Sequence, residues 1–202
     1  MIPTQTLPSG YQKIGTFDLS KDRRLAIALN VLALFSTALS GWLFYRAIIL
    51  LRPAAISTGT ITITVAGLPQ SVIVIAAILL LMVFYITLHE AVHGIFFWWF
   101  TRSRPVFAFR WSYAYAAAPG WFIPRNAYLI IALAPLVIIS TVGLIVAAFA
   151  PANWLQAIWF VLTMNAGGAI GDVAVAIWLL RLPPSTLSLD QGSALTLFRP
   201  EA

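Results

Sequence analysis

The sequence predicts an all-α integral membrane protein with four transmembrane helices and short β elements in its first and second connections. Three observations lead there. Of its 202 residues 61% are hydrophobic and 9% charged, with a mean hydropathy of +0.92, whereas soluble domains run about 45–50% apolar and about 25% charged. Four apolar stretches, 25–51, 72–100, 128–149 and 154–180, each reach the roughly 20 residues a helix needs to cross a bilayer. Of the twelve prolines only Pro135 lies inside one of them, as expected if proline marks connections and an occasional tolerated kink.

Taken in order, the first 24 residues carry Lys13, Lys21, Arg23 and Arg24. They are too polar and too long to open a signal peptide, and the apolar stretch that follows is too long to be its core, so the first span is expected to stay uncleaved. Arg46 and Arg52 flank the first connection, in which Thr60, Thr62 and Thr64 alternate with Ile61, Ile63 and Val65 before Gly67, the period of a short strand. After the second span, 101–127 carries Arg102, Arg104, Arg110 and Arg125 and sets Phe107, Phe109, Trp111, Tyr113 and Tyr115 at every second position. That row reads either as a strand or hairpin, or as an amphipathic element at the headgroup level, where Trp and Tyr are favoured. The third connection has no Lys or Arg, and the tail has Arg181 and Arg199.

Ten of the twelve basic residues thus fall on one side of an even number of crossings. This places both termini in the cytoplasm and makes the chain a multi-pass protein of the cell (plasma) membrane. It reads as a single membrane domain, 1–202, with 1–24 a cytoplasmic segment, 25–180 a four-helix core and 181–202 a cytoplasmic tail. The net charge of +6 and pI near 10.2 come from residues scattered between apolar segments, so the expected partner is the lipid bilayer and not nucleic acid. Without cysteine, disulfides, iron–sulfur clusters, thiolate zinc sites and cysteine nucleophiles are excluded, and any metal must use nitrogen and oxygen ligands.

Near the end of the second span stands His89-Glu90-Ala91-Val92-His93-Gly94, which contains both histidines of the chain. On a helix, residues i and i+4 share a face, so the two imidazoles can grip one zinc ion while Glu90 takes a proton from water. A catalytic zinc usually has three protein ligands, and Asp172 is the only other acidic residue inside a span. Counting 1.5 Å per residue from the far ends of their spans, His89, His93 and Asp172 stand at about 25, 31 and 27 Å, level with one another. An unpaired aspartate at that depth costs about 3 kcal/mol. A bound cation removes that cost, as would protonation of Asp172 or Arg181 reaching back. Around it, Asn165-Ala166-Gly167-Gly168-Ala169-Ile170-Gly171-Asp172 offers Gly167 and Gly171 as a small-residue face for close helix approach, a contact Gly94 could share. Asn165, seven residues before Asp172, can orient a ligand or a substrate carbonyl, or donate between helices.

A HExxH span followed by an Asn and Asp on a glycine-rich span resembles the intramembrane site-2 protease superfamily. Together with Pro119-Gly120-Trp121, Arg125, Leu133-Ala134-Pro135 and Asp190-Gln191-Gly192, the pattern over about 80–200 is similar to a prokaryotic membrane family named putative zincin peptidases. The resemblance implies zinc ligands His89, His93 and Asp172 and a catalytic base, Glu90. It also implies that residues 107–115 hold an unwound substrate at a strand edge.

The function expected is therefore a zinc-dependent intramembrane peptidase cutting a membrane-protein or peptide substrate near the cytoplasmic side. Two alternatives use the same residues. One is a metal-binding or metal-transporting membrane protein, for which four spans are few enough to require a homo-oligomer. The other is a catalytically inactive scaffold stapled by zinc.

Overall fold

The computed structural model describes residues 2–18, 21–53, 68–109, 114–192 and 194–201. Strand β1 (Tyr11–Asp18) leads into helix α1 (Arg23–Leu51), which starts where the Asp22 carboxylate accepts the Leu25 N–H at 2.9 Å, a side-chain cap for an otherwise orphaned donor. Helix α2 (Leu68–Thr101) is followed by strands β2 (Val106–Phe109), β3 (Ala114–Ala117) and β4 (Phe122–Pro124). Helix α3 (Arg125–Phe149) starts directly after Pro124 and contains Pro135. A single turn, Ala152–Trp154, precedes α4 (Leu155–Gly168) and α5 (Ile170–Leu180), and strands β5 (Leu187–Asp190) and β6 (Ala194–Pro200) complete the order.

Three helices, Arg23–Leu51, Gln70–Thr101 and Arg125–Phe149, are long and apolar enough to cross a membrane. Their outer faces expose large apolar side chains such as Phe35 at 70% and Leu80 at 70%. The fourth expected span is broken: α4 and α5 meet at Ala169 with a bend of 41°. Gly167 and Gly168 precede the break, and glycine is about 1 kcal/mol poorer than alanine at holding a helix.

The chain is mostly helical but not all-α. Beyond the expected strands, β1, β6, β5 and β4 form one antiparallel sheet in that order, with Tyr11 opposite Pro200 at one end of β1 and Asp18 opposite Ala194 at the other. Thr4 bridges to Phe122 on the far side of β4, exchanging hydrogen bonds of 3.1 and 2.7 Å. The segment before α1 therefore supplies one outer strand of the sheet and bridges to the other. Because this sheet draws on 1–24, the second connection and the tail, all three lie at one end of the helical bundle. The aromatic row is a hairpin where it is described: β2 pairs with β3, with Phe107 opposite Ala116 and Phe109 opposite Ala114. The Thr60–Val65 alternation lies outside the described residues, as do Trp111 and Tyr113.

Packing assigns the glycines differently from the sequence. Gly167 lies against Thr37 of α1, where an added Cβ would meet both the Thr37 side chain and its backbone, and Gly94 is covered by the Phe107 ring of β2. Gly168 is the glycine that faces α2, with Tyr85 beside it, and Gly171 borders open space. The seam between α1 and α4 is one of small and hydroxyl residues: Ser36 donates to Ala166 O, Ser40 to Thr163 O, and the Trp159 indole to Gly41 O at 2.8 Å. Close approach and interhelical hydrogen bonds of this kind suit an apolar surround, where burial alone drives no association. At the far end of the bundle the Arg52 guanidinium donates to the carbonyls of Ala147, Ala148 and Ala150, a cation on the negative end of the α3 dipole. The main core lies between sheet and helices, where Phe97, Ile131 and Leu179 meet Ile123, Leu195 and Leu197.

Candidate metal centre

On α2 the four-residue spacing sets His89 and His93 one turn apart, both 8% exposed, with ring centroids 4.9 Å apart at 73°. The break at Ala169 turns α5 so that Asp172, in its first turn, enters the same space. One Asp172 oxygen, Oδ2, stands 3.1 Å from His89 Nε2 and 3.5 Å from His93 Nε2. One ligand atom from each of the three residues lies within 4.8 Å of the others. Two ligand atoms held about 2.0–2.1 Å from a tetrahedral zinc are separated by about 3.3–3.4 Å, close to both measured distances.

The outer ring nitrogens decide which lone pairs point inward. His93 Nδ1 lies 3.0 Å from the Ile131 carbonyl, which can only accept and so holds the proton on that nitrogen in the tautomer that frees Nε2. Asn165, fully buried in the last turn of α4, donates its amide N–H to the Pro135 carbonyl at 3.2 Å. That contact orients the amide and turns its oxygen toward His89 Nδ1, 2.9 Å away, which donates in turn. In that tautomer both Nε2 atoms carry lone pairs that a cation seated between them and the Asp172 carboxylate would use. Without a cation the carboxylate accepts from the Nε2–H of the other tautomer. Two imidazole lone pairs and a carboxylate converging in this way suit a cation, and such outer hydrogen bonds are the usual means of fixing zinc-binding imidazoles.

A cavity of about 770 Å³ opens onto the cluster, with His89, Glu90, His93 and Asp172 in its wall. The Asp172 side chain keeps 26% of its exposure, so the cluster is neither sealed nor closed off from a further ligand. Glu90 projects into this space beside His89, and the Ala116 backbone N–H of β3 is directed at its carboxylate. One edge of β3 is taken by β2, and Ala114, Tyr115 and Ala116 contribute to the cavity wall. Helix α1 contributes Leu29 and Asn30 to the wall.

The structure thus brings together all the residues singled out in the sequence: His89, Glu90 and His93 from α2, Asn165 from α4 and Asp172 from α5. Asn165 touches His89 and also donates across to the Pro135 carbonyl of α3, so it makes the interhelical bond the sequence allowed as well as a contact to a candidate ligand. Asp190 was not foreseen as part of the site. It is 8% exposed at the end of β5 and accepts a 2.5 Å hydrogen bond from the Tyr128 hydroxyl and a 2.7 Å one from the Gly192 N–H. Burial pushes its carboxyl above the ordinary aspartate value, against the opposing effect of those two bonds. Gly192 has φ of 83°, a left-handed turn that glycine adopts freely, and the Asp190-Gln191-Gly192 run was the available signal. Tyr128 gave no signal, since a tyrosine at the start of an apolar stretch reads as an interfacial anchor.

One family, described as "Putative zincin peptidase", matches residues 82–187, just over half of the chain. No curated protein and no solved structure matches.

Proposed function

The chain belongs to that zincin peptidase family, and from this premise we propose that it is a zinc-dependent intramembrane peptidase cleaving membrane-protein or peptide substrates near the cytoplasmic face. The observation that carries the reading is the convergence of His89, His93 and Asp172 beside Glu90 on one open cavity. His89, His93 and Asp172 would hold zinc, which when bound would supply Lewis acidity toward a peptide carbonyl and a water molecule.

The chain's own residues do the rest. Glu90 accepts the proton from the attacking water and passes it to the departing amide nitrogen, the paired base and acid roles of one carboxylate. Asn165 and the Ile131 carbonyl hold the imidazoles so that neither can rotate away. The cavity-side edge of β3 aligns an extended peptide through its backbone, the usual way a strand edge recognises unfolded chain. That edge is next to Glu90, so a peptide lying on it passes the base. The apolar helix surfaces support insertion in a membrane, and the basic residues described at the sheet end, such as Lys13, Arg125 and Arg199, favour that end as cytoplasmic.

In Glu90→Gln, cleavage of a membrane-protein substrate is expected to vanish while the purified protein retains zinc. Unchanged turnover overturns the hydrolytic reading, and zinc flux into proteoliposomes that survives the substitution favours transport instead.

A further inference from the structure

We propose that Pro135 is a positioning residue of the metal centre, acting through the backbone group that its own missing N–H releases. The inference rests on reading His89, His93 and Asp172 as metal ligands. In an unbroken helix the Ile131 carbonyl accepts the N–H of residue 135. Proline has none, and its ring presses on the carbonyl four residues back. A buried carbonyl without a partner is unfavourable, and here the partner is His93 Nδ1 at 3.0 Å.

The chain of consequences is short. An acceptor at Ile131 favours the His93 proton on Nδ1 and so frees the Nε2 lone pair for a cation between it and Asp172, 3.5 Å away. The Pro135 carbonyl, in the same buried turn, accepts from Asn165 at 3.2 Å, and Asn165 holds His89. Both supports of the histidine pair therefore meet on one turn of α3. Proline is the least favourable residue for a helix interior, so a role in helix structure alone gives the opposite expectation from a role in ligand positioning.

The test uses the full chain in detergent. Zinc affinity is measured by competition with a chromophoric chelator, and the imidazole tautomers by ¹⁵N shifts of the metal-free protein about two pH units above the ordinary histidine pKa of about 6.5. In the wild type each histidine is expected to keep the Nδ1 proton for a measurable share of the time, against the pull of Asp172 on Nε2. In Pro135→Ala the restored N–H competes for the Ile131 carbonyl. His93 then shifts further toward the other tautomer, zinc affinity falls about 10–100-fold, and the melting temperature stays level or rises. His89 keeps its tautomer balance, because alanine retains the carbonyl that Asn165 uses. Pro135→Gly, which restores the N–H without favouring the helix, loses affinity in the same way. Wild-type affinity with unchanged tautomers in both variants overturns the proposal alone, and a wild type that binds no zinc overturns the metal reading and the proposal with it.

Discussion

Two helices of this protein are interrupted beside the metal centre, by different chemistry and to different effect. In α3 a proline removes one donor while the helix continues from Arg125 to Phe149. Between α4 and α5 two glycines weaken the helix, and it bends by 41° at Ala169. The first interruption yields an acceptor at a fixed place, the Ile131 carbonyl that holds His93. The second yields a direction, the one that carries Asp172 to within 3.1 Å of His89. A helix can present side chains on a face at regular intervals, but a third ligand level with two histidines on another helix needs a segment aimed at them. Departures from helical regularity are concentrated where local stability is given up for a site.

The largest effect that separates the two comes from removing what the bend delivers. Asp172→Ala is expected to abolish zinc binding, a greater loss than the about 100-fold that outer hydrogen-bond partners command, as read by metal content of the purified protein. Retention of stoichiometric zinc would place the third ligand elsewhere. Next comes the bend itself. Gly167→Ala sets a methyl group against the Thr37 backbone and is expected to destabilise by about 1–3 kcal/mol. Gly171→Ala enters open space and is expected to gain about 0.5–1 kcal/mol from helix propensity. Thermal unfolding in detergent distinguishes them, and equal effects would mean that the α1 seam does not set the bend.

The smallest effect concerns the sheet side of the cavity. Because the folded-state pKa of Asp190 is raised, the native state holds its proton more tightly than the unfolded chain. Its contribution to stability is present below the unfolded value of about 3.9 and is lost as pH rises through the raised one. Asp190→Asn removes that slope, so the difference in melting temperature between wild type and variant should change sign or shrink across this interval. A pH-independent difference would mean that Asp190 titrates normally.

The helices and the ligand set were legible because each rests on short-range regularities: apolar runs, a four-residue histidine spacing and one lone buried acid. Asp172 could be paired with the histidines because it is the only other acidic residue inside a span and because the helical rise, which converts residue number into height, sets it level with them. The sheet was not legible, because its strands are short and their partners remote, as with Thr16 beside Thr196. In β6, Leu195 and Leu197 turn inward around Thr196, an alternation that was visible but too brief to stand out from a tail. The break at Ala169 is hidden because apolar residues continue through it, and hydropathy does not register direction. Pro135 was read as a tolerated kink, since the use of a freed carbonyl depends on what lies across from it.

The pairing of β1 with β6 also bears on biogenesis. A ribosome delivers the first strand well before its partner, since Thr16 and Thr196 stand 180 residues apart, and the hairpin that carries Asp190 and Leu195 into the cavity wall follows every described helix of the bundle. Until then the nascent protein holds its two histidines on a helix that has no finished floor beneath it, so the cavity beside them is completed only after the helices have been made.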